Sequence, residues 1–133
     1  MIRILGIGKV KDQFCREKIN DYLQRLTKYS KVEYLEAQHL PKDISSELIL
    51  LDERGKEFTS KEFSQYIKKR TLENKNTTFI LGPAEGFPEE FLKKIPEKIS
   101  VSKMTLPHEL ARVIFIEQLY RAFSILNNEP YHK

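Results

Sequence analysis

The strongest constraint on this chain lies in its last quarter, Val101 to Lys133, which reads VSKMTLPHELARVIFIEQLYRAFSILNNEPYHK. The stretch predicts a polar loop, one long helix and an aromatic-basic tail. The Thr105 hydroxyl and Pro107 suit the first turn of a helix, where backbone N–H groups lack partners. Asn127 and Asn128 mark the end, and Pro130 blocks continuation. At about 100° per residue, Ala111, Val113, Phe115, Ile116, Leu119, Tyr120, Ala122, Phe123 and Leu126 share one very broad apolar face. Leu110, Ile114 and Ile125 form a second strip on the other side. A helix apolar on two sides is either central to a large core or shared with a partner. In 133 residues the first is hard to arrange, so the second strip predicts a homodimer interface. Arg112 lies inside the broad face, and a charge there needs a partner or a ligand.

The rest of the chain alternates. Ile2 to Ile7 reads as a buried strand, being short, apolar and β-branched. Gly6 and Gly8 lack the third glycine of a nucleotide loop and fit a tight turn better. Asp12 caps a helix to about Tyr29, with Cys15, Ile19, Tyr22, Leu23, Leu26 and Tyr29 on one face. Val32 to Ala37 is the second strand. Gln38 to Glu47 has no helical period and contains Pro41. Leu48 to Asp52 is a continuous apolar run suited to a sheet covered on both faces, and Gly55-Lys56 predicts a turn. Thr59 and Glu62 form a capping box ahead of Phe63, Tyr66 and Ile67. Thr77 to Leu81 is another buried strand. It leads into the loop Gly82-Pro83-Ala84-Glu85-Gly86, a short helix from Pro88 and a last strand, Ile99 to Ser102.

This order predicts one α/β domain over residues 1–133, a mainly parallel sheet with helices on both faces. Ligands of such sheets sit beyond the carboxyl ends of the strands. Three strand ends carry turn residues, at Leu51 onward, Gly82 to Gly86 and Ser102 to Leu106. They are predicted to converge on one pocket.

Composition narrows the function by exclusion. No apolar run approaches the ~20 residues of a membrane span, no secretory pattern opens the chain, and one cysteine forms no internal disulfide. A reducing cytoplasm follows as the expectation, with Cys15 a small core residue. The net charge of +4 is mild, but residues 1–45 carry nine basic against six acidic side chains while the remainder is nearly balanced. That fits a polyanion partner without demanding one. No nucleophile turn, Walker loop or zinc-ligand spacing occurs, so no metal is expected. His39 falls in a polar loop. His108, in the first turn of the long helix, either bonds the loop below or meets a bound group. Gly82 and Gly86 either shape a turn or let backbone approach a flat ligand. Ser102 to Thr105 offers backbone groups able to read an adenine edge. From the residues alone, the expectation is an α/β pocket in a dimeric protein, with a nucleotide as the candidate ligand.

Gly82-x-x-x-Gly86, Ser102-Lys103-Met104-Thr105-Leu106-Pro107-His108, Arg112-Val113, Glu117 to Ala122 and the terminal Tyr131-His132-Lys133 together closely resemble the ribosomal large-subunit methyltransferase H family. That family belongs to the SPOUT superfamily of knotted methyltransferases. The opening strand, Leu51-Asp52 with Gly55-Lys56, and the element order match as well, so the resemblance covers nearly the whole chain. It implies a cytoplasmic homodimer with a C-terminal trefoil knot, an exception to the rule against threaded chains. It also implies methyl transfer from S-adenosylmethionine to N3 of a pseudouridine in 23S rRNA on the assembled ribosome. By motif, the cofactor residues fall on Leu51, Gly82, Gly86, Val101, Ser102, Lys103, Met104, Thr105 and Leu106. The substrate-side residues fall on His108, Arg112, Tyr131 and His132. Arg112 would stabilise negative charge on the uracil ring or hold a phosphate, His108 or His132 would place the base or take its proton, and Tyr131 would stack on it.

Two departures from the family pattern carry expectations of their own. Pro83 stands where the family usually has glycine, removing an N–H and fixing φ. The chain is also short between Ala37 and Leu48, which predicts a thinly covered sheet face. A non-catalytic RNA- or ribosome-binding module on the same fold is the competing reading, and a related enzyme acting on tRNA is a third, disfavoured by the Tyr-His-Lys ending.

Overall fold

A computed structural model describes residues 1–43, 47–73 and 75–131. The elements run β1 (Ile2–Ile7), α1 (Gln13–Leu26), β2 (Val32–Ala37), β3 (Leu48–Glu57), α2 (Ser60–Leu72), β4 (Thr77–Leu81), α3 (Glu89–Lys94), β5 (Lys98–Ser100) and α4 (His108–Leu126). The five strands form one sheet in the order β2-β1-β4-β3-β5, and every pairing is parallel. Alternate residues of one strand therefore serve different layers. Ile2, Ile4, Ile49, Phe79 and Leu81 join the larger core beneath α1, α2 and α4. Ile7, Leu48, Leu50 and Ile80 join a smaller one with Phe87, Phe91, Leu92 and Ile95.

The two faces are unequally covered. Among the described residues the second face has only the six-residue α3 and a half-buried Leu40 from the 38–47 connection. Leu35 on edge strand β2 stays 47% exposed. The other face is thick, because α4 lies between α1 and α2 and contacts both. That position explains most of its all-round apolar character: Val113, Phe115, Ile116, Leu119, Ala122 and Phe123 are all buried. Each large apolar side chain so placed contributes about 1.5–3 kcal/mol. Ile114 and Ile125 of the second strip remain half-buried, and Leu110 is exposed.

Several helix ends follow their sequence signals. The Asp12 carboxylate accepts the Cys15 N–H, and Thr59 and Glu62 make a reciprocal capping box. Asn128 adopts φ 55°. This lets its own N–H reach Ile125 and that of Glu129 reach Ser124, the paired closure of a Schellman end.

Three boundaries differ from expectation. Thr105 does not cap α4; its hydroxyl donates to Glu53 at 2.8 Å, and the helix starts at His108 with no side-chain cap. Strand β5 ends at Ser100, because the Ser100 hydroxyl binds both the C=O and the N–H of Ser102 and curls the chain away. Gly55 and Lys56 lie within β3 instead of ending it. Leu51 and Lys56 both pair with Ile99, so residues 52–55 leave the sheet and the strand then resumes. Glycine is needed there, since a Cβ at Gly55 would lie 2.6 Å from the backbone of Lys98 and Ile99.

Candidate active site

The carboxyl ends of β3, β4 and β5 meet the first turn of α4 around a cleft of about 380 Å³. The convergence expected of the three strand ends is thus present. Of the cofactor residues assigned by motif, Leu51, Gly82, Gly86, Val101, Ser102, Met104, Thr105 and Leu106 all line the cleft. Lys103 does not; it points to solvent, 3.8 Å from Glu57.

Each wall has a local cause. The β3 excursion carries Asp52, Glu53 and Arg54 into the cleft. It is held by Asp52, which accepts both the N–H and the guanidinium of Arg54. Burial alone would raise the Asp52 carboxyl, but Arg54 outweighs it and keeps the group below its ordinary value. After β4, Pro83 opens a tight turn closed by the Gly86 N–H on the Pro83 carbonyl at 3.0 Å. The proline that departs from the family pattern is accommodated as the first residue of that turn, where no N–H is required. Gly86 has φ 79°, a conformation that favours glycine. A Cβ at Gly82 would press on the Phe87 ring at 3.2 Å, whereas one at Gly86 would stand in open space. In the third wall the serine pair takes up the N–H and C=O of Ser102 and, through Ser102 Oγ, the N–H of Met104. Backbone recognition by this loop falls to its other groups.

Arg112 forms the floor of the cleft beside α4. It is 1% exposed, and its guanidinium donates to the carbonyls of Gly8 at 2.8 Å, Ile7, and Gly82 at 3.4 Å. Nε is buried and has no partner among the described residues. Glu36 on β2 lies 3.7 Å from Nη1 and is itself held by Tyr34, Arg16 and the Val10 N–H. Burial pushes the Glu36 carboxyl up, but these donors, Tyr34 first, outweigh it and hold the group low. Burial and the bond to Glu36 push the Tyr34 hydroxyl up to about 12. The sequence reading gave Arg112 a partner or a ligand; in this chain it has a partner set. Gly6 completes the arrangement, because a Cβ there would meet Arg112 Nη1 at 2.7 Å.

His108 lines the cleft one turn before Arg112, on the same helix stripe. The next residue, Glu109, has its carboxylate 3.8 Å from His108 Nε2 and accepts the N–H groups of Lys11 and Asp12 at 3.1 and 2.9 Å. Those two N–H groups, Asp12 first, keep its carboxyl low against burial. Tyr131 is not at the cleft. Its hydroxyl donates to Glu117 at 2.7 Å and its ring packs edge-on to Tyr120, one to two turns further along α4. His132 lies outside the described residues. The acidic pair Asp52 and Glu53 and the Glu36 cluster escaped the sequence reading. Only the β3 excursion, invisible to periodicity, and the β1–β2 pairing bring them in.

Among the described residues no three His, Cys, Asp or Glu side chains cluster as metal ligands, and no helix is long and apolar enough to cross a membrane. The family profile described as "Predicted SPOUT methyltransferase" matches residues 1–132. Ribosomal RNA large subunit methyltransferase H of Parabacteroides distasonis is 42% identical over 153 aligned positions, covering 98% of both chains. Ribosomal RNA large subunit methyltransferase H 1 of Clostridium perfringens is 35% identical over 157, covering 99% of both. An alignment of 157 positions against 133 residues leaves at least 24 positions without a counterpart here. A solved structure, that of a probable methylase family protein from Haemophilus influenzae Rd KW20, superposes with a TM-score of 0.61 at 14% identity. It covers 99% of this chain and 70% of its own, and supports the fold alone. With a full-length family match, relatives above 30% identity and a five-stranded parallel sheet of the same fold, the chain belongs to the SPOUT methyltransferases, among the ribosomal RNA large subunit methyltransferase H proteins.

Proposed function

We propose that this protein methylates N3 of a pseudouridine in 23S rRNA on the assembled ribosome, in the cytoplasm, with S-adenosylmethionine as donor. The observation that carries it is the single cleft uniting three strand ends with His108 and Arg112. The residues fit the donor. The cleft volume is within the range of small-molecule sites, its walls include Leu51, Leu81, Leu106 and Phe87 for a flat ring, and Glu53 and Glu85 suit a cation. The open space at Gly86 leaves backbone close to whatever binds. When bound, S-adenosylmethionine supplies an electrophilic methyl group on a sulfonium sulfur.

This chain's own residues then position and neutralise. The N3 proton has to leave as the new N–C bond forms. His108, at the cleft wall, is positioned to accept it in its neutral form, with His132 the other candidate. Arg112 acts from below, as a fixed positive charge and as the staple of the Gly82 loop, rather than as a mobile contact. Tyr131 sits away from its own cleft, so stacking on the target base by Tyr131 calls for a second copy of the chain. A homodimer through Leu110, Ile114 and Ile125 meets that need. We further infer a trefoil knot in the C-terminal half, an inference supported by the match to the SPOUT methyltransferase family.

The test is transfer of labelled methyl from S-adenosylmethionine to ribosomes from cells lacking this protein, beside free rRNA and ribosomes without pseudouridine. Label in pseudouridine-containing ribosomes only is the expected result. Ribosome binding without transfer would leave a non-catalytic module.

A further inference from the structure

We propose that the corner between β1 and α1, formed by Lys9, Lys11, Phe14 and Lys18, is the surface on which the protein docks an RNA strand beside its cleft. This rests on the rRNA reading above and adds where the strand lies. All four side chains are exposed. Phe14 is 59% exposed in the first turn of α1, with the Lys18 ammonium 5.9 Å from its ring centroid. Among the described residues none of the three lysines forms an ion pair.

The neighbouring carboxylates are already engaged. Asp12 accepts the Cys15 N–H, Glu17 the Gln13 amide, Glu36 the Arg16 guanidinium, and Glu109 the Lys11 and Asp12 N–H groups. The three ammonium groups therefore reach solvent with none of these carboxylates in contact, in the part of the chain that holds its basic excess. Ammonium groups for phosphates and an exposed ring for a base, with Lys18 beside it, are the elements of a sequence-tolerant nucleic-acid platform. An acidic protein partner would be met by the charges but gives no reason for the exposed ring.

Position supports the same conclusion. Glu109 grips the backbone of Lys11 and Asp12 and directly follows His108. The corner and the cleft lip are thus joined through one residue, and a strand lying across Lys9 and Lys11 would be carried to the edge of the cleft.

The experiment measures affinity of full-length protein for ribosomes, and for 23S rRNA stripped of protein, across a salt series. The variants are Lys9→Ala/Lys11→Ala/Lys18→Ala, Phe14→Ala, and a control, Lys68→Ala/Lys93→Ala/Lys94→Ala, which removes equal charge elsewhere. The corner triple variant is expected to bind about tenfold or more weakly and to lose roughly two units of log–log salt slope. Phe14→Ala should bind about tenfold more weakly with the slope unchanged. Melting temperature and S-adenosylmethionine affinity should match wild type in both. Wild-type binding by the corner triple, or an equal loss in the control, would overturn the proposal. So would a loss seen with ribosomes but not with stripped rRNA, which would identify a protein contact. If wild type binds with this salt dependence yet transfers no methyl, the docking surface stands and the methyl-transfer reading fails. If wild type binds neither probe, both fail.

Discussion

Arg112 illustrates how one side chain joins structure to chemistry. Its guanidinium fork ties α4 to the ends of β1 and β4, and Glu36 balances its charge. Removing one partner of a buried ion pair costs about 3–5 kcal/mol, so Arg112→Ala is expected to lower the melting temperature too far for its activity to be informative. Arg112→Lys keeps the charge but not the fork. It should remain folded and bind S-adenosylmethionine roughly tenfold more weakly, since the Gly82 carbonyl loses its donor; calorimetric titration checks this. Glu36 gives a pH signature. Its folded carboxyl is held below the ordinary value near 4.3, so its stabilisation is complete above that pH and is lost as pH falls through the lower folded value. Wild type should lose stability on acidification below about pH 4.3, and Glu36→Gln should show a shallower loss there from a lower starting point. A thermal-melt series across pH resolves the two slopes.

At the scale of elements, the β3 excursion decides what the cleft is made of. Residues 52–55 leave and re-enter the same sheet because Gly55 can pass within 2.6 Å of the β5 backbone. Gly55→Ala has nowhere to put its methyl group and should cost about 1–3 kcal/mol. It should also displace Asp52 and Glu53 from the cleft, weakening S-adenosylmethionine binding more than a surface control of equal stability. The sequence made the strands, the caps at Asp12, Thr59 and Asn128, and the converging strand ends legible, because each depends on local pattern or on sheet topology. It did not reveal the excursion, because a Gly-Lys pair after an apolar run has the same local pattern as a strand-ending turn. Nor did it reveal the Glu36 cluster, which adds to Tyr34 of the same strand Val10 after β1, Arg16 of α1 and Arg112 of α4, brought together from across the chain. Arg112 was legible as a problem, a charge on an apolar face, but not as its solution.

For the whole molecule, the long helix answers two demands at once. Its centre is buried between α1 and α2, and what remains apolar and partly exposed is the strip Leu110, Ile114 and Ile125. Ile114→Glu is expected to yield monomers in sedimentation and to cut transfer to ribosomes at least tenfold, while leaving the melting temperature within a few degrees at low protein concentration. An active monomer would remove the link between pairing and catalysis. The thinner face carries α3 and Leu40, and among the described residues of the 38–47 connection none lines the cleft.

The central place of α4 also has a consequence for biosynthesis. The helix that fills the space between α1 and α2, and whose Arg112 fixes the loops after β1 and β4, follows all five strands in the chain. Until it emerges, the sheet keeps an apolar face open and the loops at its carboxyl ends have no floor. The cleft of a nascent chain therefore assembles only after all five strands have been made and α4 has followed them out of the ribosome.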